Sequence, residues 1–535
     1  MSDCDVLIIG AGHNALVCGG YLAQAGYRVL ILERRHKVGG AVVTEEIVPG
    51  FKFDLGGSAH ILINHTPIIR DLRLTDYGLD YLDLDPLFFA PFPDGSAITM
   101  WKDVDRTCES IAAVHPADAE AYRRFIDHWK PIAEGMVEMF NHAPTPLNVA
   151  RYLAFSQGFN RDGMKLLDDV IRGYGQVLRH SFSGTQVPAL IAWMAAQSGP
   201  PPNEPLSAPF ALWHPMYHVS GVKRPRGGSG MLTQALARMI EAHGGQVITN
   251  APVRQMLVEN GRVVGAETED GTRYTASRAV VSGAHIYTTM RLLGDHAPAS
   301  AREAVNRSRI GNGFGMIVRA AVDELPNYTA APTPNGQAGP HHISMQFLCP
   351  DMPYLERAYG DFLAGRPSEE PGLIIMTWSA SDPTLAPEGK HVMFMWGQYY
   401  PYELASGESW DDIGEREADK MLTILQRYAP NMTRDKVIGW LVETPLYLER
   451  ELGLYRGNVM HLEMSVDQMF MLRPALSMAQ YRGPLPGLYL TGASTHPGGG
   501  IMGAAGRNAA AALLRDLSRP RWRGLLKPSH AAPQS

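Results

Sequence analysis

Cysteine is scarce in this chain. Cys4, Cys18, Cys108 and Cys349 are the only four in 535 residues, far apart, with no CxxC pair and no Cys/His ligand spacing. That argues against a disulfide framework and a structural zinc site, and it fits a reducing cytoplasm. No apolar run approaches the roughly 18 residues that a membrane-spanning helix needs. Blocks of like charge are missing as well: 48 Lys plus Arg stand against 54 Asp plus Glu, a net charge of -6, and the two signs are interspersed. A surface of that kind carries no electrostatic footprint for nucleic acid, so no nucleic-acid partner is expected. HExxH and GxSxG are absent, and His341 and His342, placed side by side on a strand, would point apart. No metal site is expected. The opening MSDCDVLIIG has acidic residues where a signal peptide carries basic ones, and its short apolar run reads as a first buried strand.

Glycine, by contrast, is abundant, with 54 residues, and the chain is 45% hydrophobic. Length and composition predict a large core and more than one domain. The glycines fall in informative places. Val6 to Ile9 form an apolar strand, GAGHNA follows at once, Ala15 to Ala25 are helical in pattern, Gly26 closes the helix, and Tyr27 to Leu32 form a second strand. Gly10 suits the tight turn and Gly12 lets backbone approach a pyrophosphate, while Ala15 stands where a third glycine would meet the neighbouring strand. The helix start, with His13 and Asn14 in its loop, offers free N–H groups to phosphate. Glu33 ends the second strand, 23 residues after Gly10, close to the spacing at which a carboxylate accepts hydrogen bonds from an adenosine ribose and disfavours a 2'-phosphate. A second pair, Gly39 and Gly40, suggests an extended flavin. Gly56-Gly57 in FDLGGSAH, taken alone, reads as an ordinary turn.

Further along, Asp103 to about Lys165 has helical spacing and predicts several short helices broken at Pro116, Pro144 and Pro146. Gly227, Gly228 and Gly230 open a helix running to His243. Strands are predicted at Gln246 to Thr249, Val253 to Val258, Val263 to Thr268, Arg273 to Ala276 and Ala279 to Ser282, with Asn260-Gly261 and Asp270-Gly271 as hairpin turns. Gly315 to Val322, Leu373 to Ser379 and Val392 to Gln398 predict a separate sheet, and Trp410 to Tyr428 an amphipathic helix. The last block, Gly487 to Leu517, is strand, glycine loop and small-residue helix, with a helix start at Ile501 to Gly503 that could face an anion.

VLIIGAGHNALVCGGYLAQAGYRVLILERRHKVGGA together with LYLTGASTHPGGGIMGAAGRNAA resembles the two ends of an FAD-containing, amine-oxidase-like protein of the phytoene-desaturase family. Within it, GHNAL, GGSAH, GNVMHLEMSVDQM and LTGASTHPGGG are most similar to desaturase-type bacterial carotenoid ketolases, including β-carotene 4-ketolase. The likeness runs from Asp5 to about Leu517. It implies an α/β architecture. A Rossmann-like FAD domain is expected from 1–75, 220–295 and 480–518, an inserted mixed-sheet and helical, membrane-facing substrate domain from 76–219 and 296–479, and a basic, flexible tail at 519–535. It implies that Gly10, Gly12, His13, Asn14, Ala15, Glu33, Arg34, Gly39 and Gly40 hold the ADP half of FAD, that the Val253 backbone meets the adenine, and that Gly492, Ile501 and Met502 approach the ribityl chain and ring. Ala41 departs from the Arg of many relatives, which leaves a phosphate contact absent or supplied by Arg34 or Arg35. The implied activity is FAD-dependent oxidation of a carotenoid, foremost 4-ketolation of a β-ionone ring to echinenone and canthaxanthin. Desaturation of phytoene or another apolar substrate is the alternative among enzymes, and a flavin-free Rab-escort-like binding protein the alternative of another class.

His496 in THPGG and His60 in GGSAH are candidates to orient substrate or move a proton, against the competing reading of histidines that simply bond their surroundings; His461 carries less weight. Met460, Met464, Met469, Met471 and Met478 are soft side chains that suit either a channel for an apolar ligand or core filling. The tail residues Arg519, Arg521, Trp522, Arg523, Leu525, Leu526 and Lys527 suit an anionic membrane surface. A cytoplasmic protein attached peripherally to a membrane is therefore expected.

Overall fold

The computed structural model describes residues 2–148, 150 and 168–518. The expected basic tail, and the end of the helical stretch running to about Lys165, lie outside the described residues.

Two large sheets organise the chain. The first has the order Val253–Glu259, Arg262–Thr268, Arg273–Ser282, Cys4–Ile9, Val29–Leu32, Gln246–Ile248, and Leu488–Leu490 pairs with Arg273–Ser282 at one side. Cys4–Ile9 lies parallel to both its neighbours, with Ile8 opposite Val281 and Ile31. The side chains of Val6, Leu7 and Ile8 are buried on both faces, as the continuous apolar run demands of a parallel strand. Both expected hairpins form: Asn260 and Gly261, and Gly271, take positive φ at their turns, the conformation that such turns require. Arg273–Ser282 is one strand of ten residues rather than two.

The helix His13–Gln24 begins two residues earlier than expected and is buried almost all round, since it packs on the sheet and on the final helix Ala504–Ser518. A Cβ at Gly506 would strike the Asn14 carbonyl oxygen, so only glycine permits that approach. The final helix starts at Ala504, not at Ile501 to Gly503. Gly503 has φ +76, a backbone that no α-helix contains.

The second sheet runs Val437–Glu443, Gly313–Val322, His391–Pro401, Leu373–Met376, Met345–Leu348, Phe88–Pro91, Ala97–Met100. Gly313–Val322 is buried along its whole length. The expected break at Pro116 is present, after the short helix Val104–Val114, but beyond it Pro116–Phe140 is one helix of 25 residues that continues through Pro131. Pro116 sits in its first turn, where the missing N–H costs nothing. Tyr122, Phe125, Ile126, Trp129 and Ala133 bury one continuous face, which offsets the bond lost at Pro131.

Two buried ion pairs join the smaller two-stranded ladders to each other and to the second sheet. Arg224 meets Asp54 with both side chains 1% exposed. Arg319 grips Glu443 through two bonds of 3.0 and 3.1 Å and also donates to the Gly56 carbonyl at 2.9 Å.

Candidate functional site

Four strand ends converge on one point. Gly10 N–H donates to the Leu32 carbonyl, Gly283 N–H to Ile9 and Thr491 N–H to Ser282, so the loops that follow these strands open side by side at the carboxyl edge of the parallel sheet. This is where ligands bind in open α/β sheets. A cavity of about 650 Å³ starts there and is lined by Gly10, Gly12, His13, Asn14, Ala15, Glu33, Arg34, Gly40, Val253, Gly492, Ile501 and Met502. Twelve cofactor residues expected from the sequence therefore share one wall.

Gly39 does not line it. Its N–H bonds the Ala11 carbonyl at 2.9 Å, its φ is +133, and a Cβ would strike the Val42 carbonyl oxygen. Its place is to make the turn that brings Gly40 against the first loop. A Cβ on Gly40 would lie 3.3 Å from the Gly12 Cα, while one on Gly12 would meet nothing within 4 Å. Gly56 and Gly57 are more than an ordinary turn, because both reach the cavity and a Cβ on Gly57 would lie 2.8 Å from the end of Ile501.

The glycine cradle fits the diphosphate of FAD. The His13–Gln24 helix has no side chain capping its N-terminus and no acidic residue in its first turn, which leaves N–H groups and the positive end of the helix dipole for an anion. Glu33 accepts from the Ala11 N–H at 2.7 Å and the Arg35 N–H at 2.9 Å, and its carboxylate retains lone pairs for two hydroxyls. Arg34 donates to the carbonyls of Arg450 and Glu451. Arg35 pairs with Glu45 at 3.0 Å and keeps one buried terminal nitrogen without a partner. Of the two arginines expected to replace the one missing at Ala41, Arg35 keeps a buried donor free, and the bonds of Arg34 to Arg450 and Glu451 use a single terminal nitrogen. Ala15 lies against Gly283, where a Cβ would sit 2.8 Å from its own; the close contact usually left to a third glycine is kept here by a glycine on the facing strand end.

Beyond Met502 the cavity changes character. Its walls there are Met136, Met194, Met345, Met376, Met460, Met464 and Met469 with Phe140, Phe210, Trp213, Phe394, Trp396 and Phe470. Met460, Met464 and Met469 are thus channel wall, whereas Met478 fills a core. Every Asp, Glu, Lys and Arg among the described lining residues sits at the other end, with Glu33, Arg34, Arg35, Glu269, Arg291 and Glu449. Exposed Leu206 and Val466 belong to both wall and surface.

Neither expected catalytic histidine lines the cavity. His60 is fully buried, with Nδ1 2.6 Å from the Tyr81 hydroxyl and Nε2 2.7 Å from the Ser229 hydroxyl, and burial pulls its pKa down to about 3. His496 bonds the Met139 carbonyl at 3.1 Å and packs between Phe140 and Phe470, with burial drawing its pKa to about 4. The structure gives both a bonding role. His461, given less weight, does line the cavity. His341 and His342 lie in a single 3-10 turn, not on a strand; their ring centroids are 4.0 Å apart. Among the described residues no helix is long and apolar enough to cross a membrane.

Known proteins agree with this geometry. The flavin containing amine oxidoreductase family matches residues 16–321. Pyridine nucleotide-disulfide oxidoreductase domain-containing protein 2 of Rattus norvegicus is 34% identical, covering 96% of this chain and 94% of its own. A limonene dehydrogenase polypeptide from Castellaniella defragrans is 27% identical over 98% and 96%, and the lycopene-forming phytoene desaturase of Pantoea ananas 27% over 95% and 99%. Putrescine oxidase bound to putrescine shares the fold, with a TM-score of 0.61 at 15% identity over 96% of this chain and 99% of its own. The flavin-free carrier alternative is thereby set aside: the chain belongs to the flavin containing amine oxidoreductase family and is an FAD-dependent oxidoreductase.

Proposed function

We propose that the protein oxidises a long apolar substrate of the carotenoid or terpenoid kind. The observation that carries this reading is the methionine and aromatic arm that continues the cofactor cradle without a charged side chain among its described walls. An amine substrate would enter as a cation and would find no carboxylate there, at a desolvation cost of several kcal/mol. A hydrocarbon loses nothing by entering, and unbranched methionines adapt to a long flexible chain. The names of the limonene dehydrogenase and phytoene desaturase relatives point to the same substrate class.

In this reading Gly10, Gly12, His13, Asn14, Ala15, Glu33, Arg34 and Gly40 hold the ADP half of FAD, Val253 meets the adenine, and Gly492, Ile501 and Met502 lie along the ribityl chain and ring. Bound FAD supplies the acceptor for two electrons. The chain's own walls place one carbon of the substrate at that ring and keep water from it, through Phe140, Trp213 and Phe470 packed at the junction.

The narrower reading, 4-ketolation of a β-ionone ring, belongs here as well, as two successive two-electron oxidations of C4 with water supplying the oxygen and an external acceptor reoxidising the flavin between them; desaturation, a single two-electron oxidation, is its rival. Expression in cells that accumulate β-carotene, with separation of the pigments by chromatography and mass, tests it: echinenone and canthaxanthin support ketolation. Unchanged β-carotene rejects it, and new double bonds in phytoene-accumulating cells then favour desaturation.

Peripheral membrane contact completes the proposal. The substrate class is membrane-dissolved, Leu206 and Val466 stand exposed at the arm, and Leu472 and Leu476 nearby in sequence are 45% and 70% exposed. Deleting Arg519 to Ser535 should move protein from vesicle pellet to supernatant, most clearly with anionic lipid at low salt; unchanged partitioning removes the tail from the account.

A further inference from the structure

His461 is held more firmly than a wall residue needs. Its φ is +66, in the left-handed region that costs a non-glycine residue about 1 kcal/mol or more and persists only where surroundings enforce it. The enforcement is visible. Arg473, fully buried and paired with no carboxylate among the described residues, donates to the Met460 carbonyl at 2.6 Å and the Leu462 carbonyl at 3.3 Å, on either side of His461. It also donates to the Ala493 carbonyl at 2.8 and 3.0 Å, next to Ser494. His285 fastens the His461 carbonyl through its Nε2 at 2.9 Å.

The hydrogen bonds around the ring favour one tautomer. Ser494 Oγ accepts from the Ile286 N–H at 3.1 Å and lies 3.0 Å from His461 Nδ1. Its hydroxyl hydrogen has one acceptor among the described residues, His461 Nδ1, so the tautomer that satisfies this hydroxyl carries the ring proton on Nε2. That nitrogen has no protein partner among the described residues, while the side chain lines the cavity. The two other histidines that line the cavity have no donor left: His13 accepts at Nε2 from Asn14 at 3.0 Å and its ring also bonds the Gly500 main chain, while His285 uses Nε2 on the His461 carbonyl and Nδ1 on the Tyr287 N–H. Burial, with His285, Arg473 and His13 nearby, holds His461 well below the usual histidine range, so the group is a neutral donor.

We propose that His461 donates its Nε2–H to a ribityl hydroxyl of the bound FAD, with Arg473 and Ser494 as the residues that position it. The location supports the ribityl chain. His461 leans on Ser494 and follows Met460, whose sulfur lies where a Cβ of Gly499 would fall; Ser494 and Gly499 belong to the loop after Gly492, the residue expected along the ribityl chain. This inference rests on FAD occupying the site.

The test compares FAD with ADP, which lacks the ribityl chain, by titrating flavin-stripped protein. His461→Phe should weaken FAD about three- to tenfold, the loss of one neutral hydrogen bond, and leave ADP affinity unchanged. His461→Gln, which keeps an N–H donor, should recover most of the loss. Equal affinity of wild type and His461→Phe for FAD overturns the proposal, as does an equal loss for ADP, which would mark general damage to the cradle. If His461→Phe does not fold, Ser494→Ala decides: weaker FAD with unchanged ADP supports the assignment, and no change in either overturns it. A wild-type protein that binds ADP but not FAD contradicts the cofactor itself rather than the role of His461.

Discussion

Glu33 accepts a hydrogen bond from the Ala11 main-chain N–H at 2.7 Å, so the acid at the end of the second strand braces the glycine loop of the first. The same carboxylate serves the fold and the nucleotide. Replacing it with Ala removes the brace and two acceptors for ribose hydroxyls, each bond to a charged group being worth about 1.5 to 3 kcal/mol. Glu33→Ala should therefore lose FAD on dialysis where wild type retains it, read as the flavin-to-protein absorbance ratio; full retention would remove Glu33 from the ribose.

The contact of Ala15 with Gly283 predicts a compensating pair. Gly283→Ala should destabilise by about 1 to 3 kcal/mol through overpacking, and Ala15→Gly in the same chain should restore part of it. Denaturant unfolding of the four combinations gives the coupling. Simple additivity would show that the two residues do not share the space.

Glu443 and Arg319 are 0% and 1% exposed, so breaking the pair strands a buried charge. Glu443→Ala should cost about 3 to 5 kcal/mol, and Arg319→Met with Glu443→Leu together should cost much less. Thermal unfolding checks the order of the variants; a single variant as stable as wild type would contradict it.

Acid should unfold the protein through its buried histidines. Burial lowers His60 from 6.5 to about 3 and His496 to about 4, so the unfolded chain binds more protons throughout that window. Their contribution is present above about pH 6.5 and falls as pH drops toward these folded values, by about 1.4 kcal/mol per pH unit for each proton. His60→Gln should flatten the stability curve between pH 6 and about 4, measured by urea midpoints; an unchanged slope would mean that His60 charges in the folded state.

The cofactor half was legible because its signals are local. Gly10, Gly12, Ala15 and Glu33 announce themselves by spacing along one βαβ unit, and each line of their geometry is short-range. Gly39 was misplaced because a turn glycine and a ligand-facing glycine look alike in sequence. His60 and His496 drew attention by sitting in glycine-rich motifs, but what a histidine faces depends on distant partners such as Ser229 and Met139. His461 had the opposite fate: the guanidinium and hydroxyl that fix it come from Arg473 and Ser494, a relation that no periodicity reveals. The pairing order of the second sheet, drawn from strands as far apart as Phe88 and Glu443, is likewise a tertiary outcome.

The central claim, oxidation of an apolar substrate by the bound flavin, is tested most directly by mixing the oxidised protein with polyene-loaded vesicles in the absence of oxygen and following the flavin absorbance. Bleaching by a carotenoid or terpenoid, with a product oxidised by two electrons per flavin reduced, either two hydrogens fewer or one oxygen gained from water, is the predicted result. A flavin that stays oxidised with every polyene but bleaches with a primary amine would contradict it.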